Sequence, residues 1–444
     1  MKKTFHLVSL GCAKNSVDSE SIASLLLRDG FTPKDKPSQA GLLIVNTCGF
    51  IEQARQESIE VLSELAVHKK SGQLLIAAGC LTERYRERLV ESVPGIDGII
   101  GSRRWMDILD LVGELRANPS QPRYHLPDAP TIGRDEKGVP RVSIQGTSAY
   151  LKIADGCRRP CAFCSIPLIK GPPVSRPMAA VIAEAEMLQE LGMREINLIA
   201  QDTTDYGSDL GIKDGLAELL ENLLPKIPNI PWLRILYAYP GYVSDRLIDV
   251  MTSSSQVLPY LDMPLQHAHP ETLKRMKRPS NMTWVRETIS RLRERLPDIA
   301  LRTTFIVGFP GETDEEFQAL LDFMSEIRFD HVGVFPYSFE VGTSAEPLGD
   351  PIPQVLKEQR VEQLMRLQEP ISLKNNQRFI GKELDILVEG EGDGITVGRS
   401  YRDAPEIDGL VIIESPAEVG SIVPVRITGA LVHDLVGQIE NKKI

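Results

Sequence analysis

The stretch from Asp155 to Pro167, DGCRRPCAFCSIP, constrains this chain more than any other. It sets Cys157, Cys161 and Cys164 in a CxxxCxxC spacing. Thiolates are soft ligands suited to iron–sulfur clusters or to zinc. Structural zinc closes with four ligands, and no His lies near to supply a fourth. Three thiolates on a four-iron cluster leave one iron open, and an open metal position can hold a small molecule. The reading is therefore a cluster with an exchangeable site, with zinc as the bland alternative. Phe163, just before the third cysteine, adds an aromatic face beside it.

At 444 residues the chain has room for two or three domains. A hydrophobic share of 42% with 25% charged residues belongs to a globular protein in water. No apolar run approaches the ~20 residues of a bilayer span. The start, MKKTFHLVSLGC, imitates an export signal, but its apolar patch is too brief. A cytoplasmic protein without a membrane partner is expected, whose six cysteines serve metal or catalysis rather than disulfides. A net charge of −11 argues against a chain-wide basic footprint for nucleic acid.

Residues 1–120 form the first expected domain. Three short apolar runs end at Cys12 (FHLVSLGC), Cys48 (LLIVNTC) and Cys80 (QLLIAAGC), and helical patterns follow at Ser16–Arg28, Ile51–His68 and Thr82–Val90. Strand–helix alternation predicts a parallel sheet with helices on both faces, and such sheets bind ligands beyond the carboxyl ends of their strands. All three cysteines lie at that edge, which points to a second cluster. Three inert core cysteines are the alternative. Asn15 and Asn46 flank the same positions as polar groups that could orient the site. Residues from Asn118 to Gly146 mix Pro, Gly and charge without period and read as a connection, with His125 as a solvated loop residue.

The second expected domain, 147–375, repeats strand then helix. Candidate strands are Ala149–Asp155, Glu195–Gln201, Leu233–Tyr239, Tyr260–Gln266, Leu301–Gly308 and His331–Tyr337. Six such units predict a partial (β/α)6 barrel whose working face is the carboxyl end of its strands. The CxxxCxxC loop follows the first of them. Gln266, Lys277 and Arg278 collect at the same lip, and His267 and His269 read as surface residues. A helix at Val355–Asn375 leads into the third expected domain, 376–444, where short alternating strands predict a small all-β barrel. That segment carries seven Lys/Arg against twelve Asp/Glu, a net of −5. Glu389, Glu391, Asp393, Asp403, Glu406 and Asp408 would give it an acidic face that attracts a basic protein.

CxxxCxxC with an aromatic before the last cysteine resembles the signature of radical S-adenosylmethionine (SAM) enzymes. SLGCAKN, VNTCGFI and AAGCLTERY resemble the amino-terminal domain of the methylthiotransferases within that group, and the closing segment is similar to a TRAM domain. The resemblance covers nearly the whole chain. SLGCAKN, VNTCGFI, MPLQH and the acidic closing segment most resemble the branch that modifies an aspartate of a ribosomal protein. It implies two 4Fe–4S clusters, one on Cys157, Cys161 and Cys164 that chelates and cleaves SAM, and an auxiliary one on Cys12, Cys48 and Cys80 that presents sulfur. It implies that Phe163, Gln201 and Asp202 help hold SAM, and that Gly308 in IVGFPGE lets backbone approach it. The implied reaction places a methylthio group on the β-carbon of an aspartate in a small-subunit ribosomal protein of the decoding centre. The implied electron donor is a flavodoxin or ferredoxin. An adenosine of tRNA is the alternative substrate, and an iron–sulfur electron carrier is the alternative of another class.

Overall fold

The apolar runs of the amino-terminal region stack into an all-parallel sheet in the computed structural model, which describes residues 3–118, 121–127 and 137–439. Its strands are β1 (Thr4–Ser9), β2 (Thr32–Pro33), β3 (Leu42–Thr47), β4 (Leu74–Gly79), β5 (Gly98–Gly101) and β6 (Arg123–His125), in the order β2-β1-β3-β4-β5-β6. Alternate side chains enter two separate cores. Ile44 and Ile76 meet Ile22, Leu26 and Leu111 on one face, while Val45 and Leu75 meet Leu62 and Leu89 on the other. Burial on both faces explains why β3 and β4 read as unbroken apolar runs.

The expected helix Thr82–Val90 is broken into Cys80–Tyr85 and Arg88–Ser92, because Arg86 turns into the left-handed region at φ 49°. The connection expected to lack regular structure holds two edge strands: β6 joins the first sheet, and β7 (Val142–Gln145) pairs antiparallel with β8 of the next. Residues 119–120 and 128–136 of that connection lie outside the described residues. His125 is a strand residue whose Nε2 lies 2.8 Å from Asp107 Oδ2, not a solvated loop residue.

The central sheet starts with β7 and β8 (Ser148–Lys152). A small pair, β9 (Ala154–Asp155) and β10 (Val174–Ser175), closes the base of the cysteine loop. Then come β11 (Glu195–Ile199), β12 (Trp232–Ile235), β13 (Val257–Asp262), β14 (Ala300–Val307) and β15 (His331–Pro336). The order β15-β14-β13-β12-β11-β8-β7 makes six parallel strands in chain order, an open partial barrel as expected. Helix Asp314–Ile327 starts on a capping box of Thr313 and Glu316.

After helix Gln354–Gln377, strands β16 (Glu383–Gly392), β17 (Ile395–Arg399), β18 (Val411–Ile413), β19 (Ile422–Ala430) and β20 (Leu435–Gln438) close a five-stranded barrel. Its expected acidic face is smaller than the composition suggests. Asp403 and Asp408 are not surface charges: Asp408 accepts from Tyr260 Oη at 2.7 Å and from Arg302 Nε at 3.2 Å, and Asp403 accepts from Ser400. Both carboxylates are buried within the docking of this barrel onto the central domain.

The same contact buries Glu195 of β11 against Arg399 of β17 (2.6 Å), Arg234 (2.9 Å) and Ser148 (2.8 Å). Burial raises the Glu195 carboxyl, but Arg399 and Arg234 outweigh it and hold it at about 2, below its ordinary 4.5. A depressed carboxylate stabilises the fold above its ordinary value and loses that stabilisation as pH falls toward the folded value. Here the window runs from about 4.5 down to about 2, and the contribution is roughly 3 kcal/mol. Glu195→Ala leaves two buried arginines without their carboxylate and should cost about 3–5 kcal/mol at neutral pH. Urea midpoints of parent and variant from pH 7 to pH 3 check this; the gap between them should narrow with acid.

Candidate active site

Strand register brings the three amino-terminal cysteines together. Ser9 pairs with Asn46, Asn46 with Ala78 and Thr47 with Gly79, so Cys12, Cys48 and Cys80 leave three adjacent strands at one edge. Cys12 precedes the first turn of helix Ala13–Arg28, and Cys80 opens helix Cys80–Tyr85. Gly11, at φ 93°, permits the closest approach: a Cβ there would stand 2.8 Å from Cys48 Cβ and 3.0 Å from its Sγ. The two asparagines fix the edge. Asn15 Nδ2 donates to the carbonyls of Leu10 (2.9 Å) and Thr47 (3.0 Å), which leaves Oδ1 to accept from Cys80 Sγ at 3.5 Å. Asn46 Nδ2 donates to Asn15 O and Ser19 Oγ, both at 2.9 Å. Burial pushes the Cys80 thiol up to about 12. A metal ligand at this position must lose that proton on binding.

The CxxxCxxC loop offers its three sulfurs in a similar frame. Arg159 N–H points at Cys157 Sγ (3.4 Å), Ile166 N–H at Cys164 Sγ (3.5 Å) and Arg278 Nη1 at Cys161 Sγ (3.5 Å). Donors aimed at thiolate sulfur tune the redox behaviour of a cluster. The Arg278 guanidinium also stacks on Tyr239, 4.2 Å from the ring centroid, and donates to Pro264 O. Arg159 lies over Tyr242 at 3.6 Å and donates to Asp202 at 2.6 Å. Burial pushes the Cys157 thiol up to about 11.

Between the two triads lies a buried knot of charge. Asp18, on helix Ala13–Arg28, accepts from Arg141 (2.8 Å), Lys152 (2.5 Å) and Lys170 (2.9 Å). Asp155, at the root of the CxxxCxxC loop, accepts from Arg141 at 2.9 Å and from Lys152 at 3.3 Å. Two carboxylates thus face three cations, all buried. Burial raises both acids, yet Lys152 and Lys170 outweigh it and hold them below the usual carboxylate range. Helix Ala13–Arg28 belongs to the first sheet and Lys152 to the second, so this knot fixes one triad relative to the other. Removing one member would strand its partners, which is where a buried ion pair has its largest effect.

Comparison with known proteins supplies the family. Residues 151–324 match the radical SAM superfamily, 4–101 match the uncharacterized protein family UPF0004, and 380–439 match the TRAM domain. The ribosomal protein uS12 methylthiotransferase RimO of Roseiflexus sp. (strain RS-1) is 48% identical across 98% of this chain and 96% of its own. RimO of Chloroflexus aurantiacus is 47% identical across 98% of this chain and 99% of its own. The chain belongs to the RimO family of radical-SAM methylthiotransferases. It is a transferase that works with SAM and two 4Fe–4S clusters. Fold likeness agrees: the radical SAM methyltransferase TsrM of Kitasatospora setae superposes with TM-score 0.57 over 88% of this chain and 79% of its own, at 15% identity.

The donor sets fit such clusters. All six thiols are free of disulfides, three at the first sheet's edge and three on the CxxxCxxC loop, which is the donor chemistry such clusters take; among the described residues no group of three or more His, Cys, Asp or Glu side chains stands ready to hold a metal ion. The remaining predicted residues of this methylthiotransferase fall in different places. Gln201 lies beside the charge knot, its Nε2 3.5 Å from Asp155 Oδ1 and its Oε1 without a protein partner. Asp202 is engaged by Arg159 and Thr204. Phe163 packs beside Ala162, Met276 and Phe309. Gly308, at φ 72°, donates its N–H to Glu312 at 2.9 Å, and the room a Cβ would need is filled by the stem of Lys357, 2.4 Å away.

His267 is not a surface residue: it is fully buried, with Nε2 3.5 Å from Glu312 Oε2. His269 is part-exposed, with Nδ1 3.5 Å from Glu316. Lys277 is exposed, whereas Arg278 reaches the cysteine loop. Tyr237, Gln266 and Lys277 all have positive φ (63°, 76° and 54°), so strained backbone collects at this lip, as it does at functional sites. Sequence pattern does not single out Asp18, Arg141, Lys152 and Lys170. Lys152 and Lys170 merely end short apolar elements (SAYLK and IPLIK), Asp18 sits in a mixed helix and Arg141 precedes β7, so none carries a local signal.

Proposed function

We propose that this protein places a methylthio group on the β-carbon of an aspartate in ribosomal protein uS12. The observation that carries the proposal is the pair of cysteine triads on elements tied together by one buried charge knot, in a chain similar along its length to proteins named ribosomal protein uS12 methylthiotransferase. Cys157, Cys161 and Cys164 hold the cluster that binds SAM, and Cys12, Cys48 and Cys80 hold the auxiliary one. When bound, these groups supply radical hydrogen abstraction from an unactivated carbon, which no side-chain base can achieve, and the sulfur that replaces the hydrogen.

The protein's share is position. Arg278 and the backbone N–H groups of Arg159 and Ile166 hold the first three sulfurs, Asn15 orients Cys80, and the charge knot sets the separation. Phe163 and Gln201 would help hold SAM, and Asp202 would serve it by holding Arg159. Gly308 contributes by letting Lys357 pack and by fixing Glu312. A cytoplasmic flavodoxin or ferredoxin provides electrons. Among the described residues no helix is long and apolar enough to cross a membrane.

Mass spectrometry of uS12 and of tRNA from a deletion strain tests the reading. The uS12 methylthio group should vanish and return with the restored gene, while tRNA is unchanged. Loss of a methylthio adenosine from tRNA with uS12 unaltered would overturn it. A carrier that does no chemistry would release no 5′-deoxyadenosine from SAM when reduced.

A further inference from the structure

Two loops and the short helix Ile166–Lys170, which meet at the seam between the triads, each turn an apolar side chain to solvent. Phe50, two residues after Cys48, is 38% exposed, and Leu168, four after Cys164, is 45% exposed. Val341, on the loop after β15, is 63% exposed, with Phe339 beside it at 36%. Single exposed apolar residues are ordinary, but a contiguous patch marks an interaction site. These are contiguous. The Arg84 guanidinium donates to the carbonyls of both Gly49 (2.9 Å) and Val341 (3.1 Å). Ser165 donates to Phe50 O at 3.4 Å, and a Cβ on Gly342 would lie 3.0 Å from Leu168 Cδ1.

The backbone beneath the patch is held firmly. Arg84 meets Glu340 at 2.5 Å, Arg55 meets the same carboxylate at 3.3 Å, and Arg103 donates to the carbonyls of Leu168 and Ile169. Buried ion pairs cost desolvation, and here that cost holds apolar side chains in water rather than in a core. Arg55 also meets Glu52, so two cations close on two carboxylates. The third guanidinium, Arg103, is spent on two backbone carbonyls, so the face offers apolar area and fixed backbone with one uncompensated cation at most from these three. That suits a polypeptide and not the phosphates of RNA.

Position identifies the occupant. A molecule that presents one carbon to both triads must lie across the line between them, and the patch draws Phe50 from the auxiliary side and Leu168, Phe339 and Val341 from the other. An electron donor needs to approach one cluster only. Resting on the uS12 reading, we infer that Phe50, Leu168, Phe339 and Val341 form the docking surface for the polypeptide segment of the protein substrate that flanks its modified residue.

The test uses full-length reconstituted enzyme with uS12, varying the substrate concentration. Val341→Asp and Leu168→Asp should each raise KM for uS12 about tenfold, as charge placed at the core of an interface does, with kcat changed far less. Leu191→Asp, at an equally exposed site (57%) by the amino-terminal ends of the barrel strands, should match the parent. Iron content and dithionite-driven SAM cleavage without uS12 report whether each variant is intact. If an Asp variant loses iron, Val341→Ser takes its place, with a smaller rise in KM expected. Parental KM in intact variants overturns the docking surface while the uS12 reading stands. SAM cleavage slowed with flavodoxin but not with dithionite also overturns it, because the patch then belongs to the electron donor. A parent enzyme that leaves uS12 unmodified removes the reading and the docking surface together.

Discussion

A chain with Cys157, Cys161 and Cys164 all replaced by Ala should keep one cluster and lose SAM cleavage altogether. Iron should fall from about eight to about four per chain, since each 4Fe–4S cluster carries four. The variant has good reason to fold. The loop is closed at its base by the β9–β10 pair and by Cys157 N–H donating to Gly171 O at 3.0 Å. Its middle is pinned where Ala162 N–H donates to Met276 O and its carbonyl accepts from Ala345, both at 2.8 Å. None of these bonds uses a sulfur. Replacing thiols by methyl groups therefore removes the ligands and leaves the frame. Iron analysis with chromatography of 5′-deoxyadenosine reads both effects. A triple variant that keeps the parent's full iron content would show that these cysteines hold no cluster.

What the sequence made legible was whatever depends on local pattern. Leu42–Thr47 and Leu74–Gly79 are continuous apolar runs because both faces are covered, and a cysteine at each carboxyl end then falls at one sheet edge. The helical patterns at Ser16–Arg28 and Ile51–His68 fall within three residues of helices Ala13–Arg28 and Glu52–His68. What stayed hidden depends on partners distant in sequence. Asp408 looks like a surface acid until Tyr260 and Arg302, more than a hundred residues earlier, close over it. His267 looks polar and exposed, yet burial beside Glu312 decides its place. Strands β6 and β7 are too short, and too poor in apolar residues, to register against a Pro-rich background. The knot around Asp18 draws on helix Ala13–Arg28, the segment before β7, β8 and helix Ile166–Lys170. No periodicity in one stretch announces such a site.

That knot also decides how the two triads can be separated by experiment. Replacing Cys12, Cys48 and Cys80 by Ala should leave SAM cleavage running and stop formation of methylthio-uS12. The auxiliary triad hangs from strand ends whose order does not depend on sulfur: Asn15 ties Leu10 to Thr47, and Asn46 ties Asn15 to Ser19. Asp18, six residues past Cys12, keeps its bonds to Arg141, Lys152 and Lys170. The first sheet should therefore stay docked, and the Cys157–Cys164 loop should keep its own cluster. With the sulfur-bearing site gone, 5′-deoxyadenosine should accumulate without matching product, and iron should again fall from about eight to about four per chain. Chromatography of 5′-deoxyadenosine beside mass spectrometry of uS12, in one reaction, gives the ratio directly. A variant that still converts uS12 at the parental yield would mean that sulfur reaches the substrate by a route that avoids Cys12, Cys48 and Cys80. Loss of SAM cleavage as well, with the remaining iron intact, would mean instead that the first cluster needs the second in order to work.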